Sequence, residues 1–137
     1  MDKMSSIIGG EIRRSEIPIP LINYVNLLIK KVSPYYEVIQ FLLKDMEFCY
    51  KNAQREGQSE IVYTINPRML QEQIEKKIRD EKLTTINISR TILAFFYLTG
   101  LKEKGDFYTT TTHGGRKNYH VRLTSETINL LWKPLFV

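Results

Sequence analysis

A single cysteine in 137 residues, Cys49, excludes an intrachain disulfide and any cysteine-built metal cluster. The two histidines, His113 and His120, stand beside neither cysteine nor an acidic cluster, so they are expected in solvent contacts or hydrogen bonds rather than on a metal. Long apolar runs are also missing. None approaches the roughly 20 residues a membrane span needs, and the opening MDKMSSIIGGEIRR puts charges where a secretory segment would be apolar. There is no P-loop, GxGxxG, HExxH, nucleophile elbow or carboxylate pair, and no internal repeat or low-complexity segment. These absences lead to the expectation of a cytoplasmic protein that is not an enzyme, holds no cofactor or metal and does not enter a membrane.

What is present is a 42% hydrophobic chain, long enough for one domain with a real core and short for two. The formal charge is +5, a mild excess that suits a polyanionic partner. Residues 66–123 carry eleven basic and six acidic side chains, so the whole surplus lies there.

Residues 1–16, with Ser5, Ser6, Gly9 and Gly10 among scattered charges, read as a flexible N-terminal arm, and 17–137 as a single domain. In 17–57, a helical support and dimerisation region, Pro20 opens a helix through Val32. Ser33 and Pro34 then cap a longer one to about Gly57. Apolar residues from Tyr35 to Ala53, with Cys49 as core filler, cover more than one face of the long helix. A homodimer through these N-terminal helices is therefore expected, the alternative being that the preceding helix covers the surplus within one chain.

From 58 to 123 the period changes repeatedly. Ile61–Ile65 is β-branched and aromatic, a short strand. Asn66-Pro67 starts a helix through Met69, Leu70, Ile74 and Ile78 that should end near Glu81. Thr84 or Thr85 caps the next helix. Its core side is Ile88, Ile92, Phe95, Phe96 and Thr99, while Asn87, Arg90, Thr91 and Ala94 lie opposite or flank it. Gly100 supplies a left-handed stop. Phe107–Thr112 and Asn118–Leu123 are strands about the tip His113-Gly114-Gly115-Arg116-Lys117. In 124–137 a short helix begins at a Thr124 cap, and Trp132, Leu135 and Phe136 are expected on the core or across the dimer interface.

The run INISRTILAFFYLTGLKEKG followed by the β-rich stretch ending HGGRKNYHVRLT resembles the third helix and wing of prokaryotic winged helix-turn-helix regulators of the MarR, ArsR and PadR type. The resemblance covers about residues 60–123. It departs from that pattern in a longer helix after Pro67, in the absence of glycine from EKLTT, and in a third helix polar only over its first two turns. It implies an α+β, mostly helical fold: a winged helix-turn-helix with two extra N-terminal helices, one long, and a short C-terminal helix. It further implies sequence-specific binding of double-stranded DNA by a dimeric transcriptional regulator. Helix 85–99 would lie in the major groove and the wing 106–123 on the minor groove or phosphates. Arg90 would take a base edge through its fork, Asn87 would pair with adenine, and Thr85, Ser89 and Thr91 would reach phosphates or bases. Arg116 and Lys117 would serve the wing, and Lys82, Lys102 and Lys104 would contact phosphates. Two rivals stand beside it: a winged-helix protein-interaction or assembly module, and a nonspecific architectural or replication-associated DNA-binding protein.

Overall fold

A computed structural model describes residues 17–75 and 83–132. The expected arm 1–16, Lys82, and Leu135 and Phe136 of the tail lie outside the described residues. A 3-10 turn, Ile19–Leu21, leads into α1 (Ile22–Ile29) and α2 (Tyr35–Arg55). β1 (Ile61–Ile65), α3 (Pro67–Glu75), α4 (Thr85–Thr99), β2 (Phe107–Thr111), β3 (Lys117–Leu123) and α5 (Ser125–Trp132) follow. Among the described residues this is an α+β architecture of five helices and one antiparallel sheet of order β1-β3-β2.

Helix ends follow from local chemistry. The Asn66 side-chain oxygen accepts the Met69 amide at 3.0 Å, with Pro67 in the first helical position of α3, where its missing N–H is not needed. Thr84, not Thr85, caps α4: its extended backbone lets the hydroxyl accept the Asn87 amide at 3.1 Å. α4 ends in a Schellman motif. Leu101 N–H donates to the Phe96 carbonyl at 3.1 Å and Gly100 N–H to that of Tyr97 at 3.2 Å, with Gly100 at φ 83°. Gly100→Ala forces a Cβ into the left-handed region and should destabilise the protein by roughly 1–2 kcal/mol. Urea unfolding monitored by circular dichroism would read this as a lower midpoint at unchanged slope.

Two boundaries differ from expectation. The first helix stops at Ile29 rather than Val32 because Lys31, at φ 55°, closes the same motif: Val32 N–H donates to Leu27 and Lys31 N–H to Leu28. Ser33 does not cap α2. The Tyr36 amide instead donates to the Val32 carbonyl at 3.0 Å, so backbone fills the capping role and no side-chain cap bond forms.

Around α4 the other helices α1, α2, α3 and α5 all pack, which makes it the central element. Ile88, Ile92, Phe95 and Phe96 are fully buried, and Phe96 lies 4.8 Å from Phe107 and 6.4 Å from Tyr119, ring to ring. The inner face of the sheet supplies Ile65, Phe107, Tyr119, Val121 and Leu123 to the same core. The apolar surplus of α2 is taken up within the chain by α1, α4, α5 and β1, leaving Phe48, 65% exposed, as its large apolar side chain in solvent. Cys49 is only half-buried rather than core filler; partial burial, then the nearby Asp45 charge, push its thiol pKa up. Tyr63 donates its hydroxyl to Asp45, and burial, then that bond, hold the phenol protonated well above its ordinary range.

The outer face of the sheet is laced across its strands. His120 on the central β3 joins Thr64 of β1 through Nδ1 at 2.9 Å and Thr110 of β2 through Nε2 at 2.8 Å, with Tyr108 stacked on its ring at 4.7 Å. Its role is therefore hydrogen bonding. Among the described residues no group of His, Cys, Asp and Glu side chains could hold a metal, and no helix is long and apolar enough to cross a membrane.

Candidate nucleic-acid interface

α4 carries a second stripe besides its core face. Ile86, Arg90, Leu93 and Tyr97 recur at intervals of four, three and four, which aligns them on one side of the helix. That side borders an open groove of about 710 Å³. Pro18, Pro20 and Leu21 add further apolar lining, the N-terminus of α3 contributes Arg68, and the hairpin tip contributes Arg116 and Lys117. Among the described residues no aspartate or glutamate lines it. Arg68, Arg90, Arg116 and Lys117 are all exposed, and none forms an ion pair with a described residue. Four cations around one opening, with no carboxylate among its described lining residues, favour an anionic partner.

The hairpin tip reaches this opening because of its glycines. Gly114 at φ 92° and Gly115 at φ 77° turn the chain, and Thr112 N–H donates to the Arg116 carbonyl at 2.8 Å to close the turn. A Cβ at either glycine would meet nothing within 4 Å, so the requirement there is backbone conformation and not space.

Thr85, Ser89, Arg90, Arg116 and Lys117 of the expected contacts all line the groove. Arg90 is the exposed cation that α4 contributes to it. Thr85 already donates its hydroxyl to Gln71, whose amide in turn donates to the Leu83 carbonyl at 2.9 Å. Ser89 is half-buried and bonded to the Tyr119 hydroxyl. Burial raises the Tyr119 pKa, while the bond to Ser89 works in the opposite direction.

Other expected contacts are not brought there. Thr91 is 1% exposed and donates to the Asn87 carbonyl at 2.7 Å, because α1 packs over that side of α4; it is withdrawn from any interface. Ala94, placed on the open side or its flank by the sequence, is fully buried for the same reason of central packing. Asn87 turns towards α1, where its side-chain oxygen accepts the Tyr24 hydroxyl at 2.7 Å, so that oxygen does not serve a two-point contact with adenine. Lys102 and Lys104 are exposed in the turn between α4 and β2. The five residues of β2, roughly 17 Å of strand, separate them from the hairpin tip, and they do not line the groove. Lys82 lies outside the described residues.

Arg68 and the stripe Ile86-Leu93-Tyr97 were not singled out from the sequence. Arg68 had left a signal: a cation in the first turn of a helix opposes the macrodipole, and α3 has no acidic residue there to offset it. The apolar stripe gave none, since Leu93 and Tyr97 in sequence are indistinguishable from core.

The chain matches no protein-family model, and comparison with curated proteins and with solved structures yields no significant match.

Proposed function

We propose that the protein binds double-stranded DNA in a sequence-specific way as a transcriptional regulator of winged helix-turn-helix type. The first turns of α4 enter the major groove and the β2–β3 hairpin acts as the wing on the minor groove or flanking phosphates. Two features support this. The succession α2-β1-α3-α4-β2-β3 with sheet order β1-β3-β2 agrees with winged-helix connectivity. The observation that carries the reading is the convergence of Arg68, Arg90, Arg116 and Lys117, with no acidic side chain among the described lining residues, on the exposed start of α4. Arg90 then serves as the base-reading group, and the other three as phosphate contacts. With a second copy, two such helices about one DNA turn apart would read a pseudo-palindrome; Phe48 on α2 is the apolar side chain such a pairing would cover.

Selection of bound duplexes from a random library tests the reading directly. A recovered motif bound more tightly than random duplex is expected, and equal affinity for both would remove the specificity. No binding of any duplex at micromolar protein and low salt would move the assignment to a protein-interaction module. Arg116→Ala combined with Lys117→Ala should weaken all sequences alike and flatten the dependence of log affinity on log salt by about 1.8, two phosphate contacts at roughly 0.9 each. Fluorescence anisotropy between about 50 and 200 mM salt measures that slope.

A further inference from the structure

The groove beside α4 is a poor match to duplex DNA alone. Its cations suit phosphates, but Pro18, Pro20, Ile86, Leu93 and Tyr97 give the same lining a large apolar part, and Ile86 is 63% exposed. A paired duplex hides the faces of its bases in the stack and offers a protein only edges, sugars and phosphates, apart from thymine methyl groups. The uncharged polar side chains of the lining each already hold a bond within the chain. Asn66 caps α3, Thr85 is bonded to Gln71, and Ser89 to Tyr119. The groove therefore offers two kinds of contact, apolar surface and positive charge.

An unpaired nucleotide presents both complements at once, an aromatic base with open faces and an anionic phosphate. We propose that this groove takes a short unpaired stretch next to the duplex, with bases on its apolar lining and phosphates on its cations. The proposal rests on the DNA-binding reading above and adds the form of DNA that is preferred: duplex carrying single-stranded nucleotides rather than blunt duplex. The volume of about 710 Å³ suits this, since it falls in the roughly 300–1,000 Å³ range of sites that enclose compact ligands. Half-buried Tyr97, held edge-on against Phe107 at 6.2 Å, and the guanidinium plane of Arg68 are groups on which bases stack. Such stacking is tolerant of base identity, so specificity stays with Arg90 in the duplex while the groove reads strandedness.

The test is fluorescence anisotropy with the full chain and three forms of one duplex: blunt, extended by a short run of thymines at the 3′ or 5′ end, and extended by the same length of abasic sites. Binding of one thymine-extended form should be about tenfold tighter than blunt, and the abasic extension should lose that gain because it keeps phosphates and removes bases. Ile86→Ser, at an exposed position where the fold is retained, should bring the ratio of extended to blunt affinity close to one. A thermal melt verifies folding of the variant. Equal binding of blunt and thymine-extended duplex overturns the proposal, as does an abasic extension as effective as thymine, or an unchanged ratio in Ile86→Ser. Binding of blunt duplex without any extension effect overturns this inference alone. Binding of extended but not blunt DNA overturns the duplex reading and leaves the groove assignment standing, and failure of every DNA form to bind removes both.

Discussion

Phe96→Ala is expected to lower the unfolding free energy by about 3–5 kcal/mol, a large part of what a domain of this size possesses. Phe96 is fully buried on the central helix and touches both strands of the hairpin, through Phe107 on β2 and Tyr119 on β3. Truncation removes the apolar transfer energy of the ring and leaves a cavity that surrounding groups cannot fill, because Phe95, Ile92 and Val121 are themselves fixed by packing on all sides. Two aromatic pairings are lost in addition. Equilibrium urea denaturation at several protein concentrations would show the midpoint shift, and a change below about 1 kcal/mol would contradict the central position of this ring. The hairpin also loses part of its docking to α4, so under the proposed function DNA affinity should fall with stability even though Phe96 itself does not line the groove.

Arg90→Ala should act in the opposite manner, on binding with little effect on stability. The side chain is exposed and forms no ion pair with a described residue, so its removal falls in the class of surface changes within about 0.5 kcal/mol of neutral. Under the proposed function its fork accounts for about 1–3 kcal/mol of discrimination at one base position. Affinity for the selected duplex should drop by that amount, while affinity for duplexes altered at that position should scarcely change. Arg90→Lys should restore the charge and not the discrimination, since an ammonium cannot make the two parallel bonds of a guanidinium. A panel of single-base variants titrated against the three proteins checks this; a uniform loss across all of them would reassign Arg90 to phosphate contact.

Much of the fold was legible because it rests on short-range rules. The Asn66-Pro67 start of α3, the threonine cap of α4, the Gly100 stop and the glycine turn of the hairpin each satisfy backbone groups within a few residues, and each is where local chemistry requires it. Ser33 misled because a backbone carbonyl, that of Val32, had already taken the amide it was expected to cap. Lys31 misled because nothing in a lysine announces a left-handed backbone.

The candidate site was legible in part for the same reason. Arg90, Arg116 and Lys117 could be placed from the order of a helix and a basic hairpin tip, and the groove brings all three together. The placement of Thr91 and Asn87 was not legible because it depends on α1, an element more than fifty residues earlier: Thr91 is buried, and the Asn87 side-chain oxygen is engaged by Tyr24.

By itself, then, the sequence determined the succession of helices and strands, the hairpin, the confinement of the charge surplus to residues 66–123 and the absence of cysteine or histidine clusters for metal chemistry. All of these are properties of composition or of neighbours along the chain. Only the tertiary structure decided which polar residues of α4 face outward, that Arg68 joins them, and that Ile86, Leu93 and Tyr97 line an open groove, the last two while packing partly on the core. The physical reason is that a helix with two apolar stripes has no local preference for which one to bury. That choice is made by the elements packed against it, α1, α2, α3 and α5, and by where the hairpin ends.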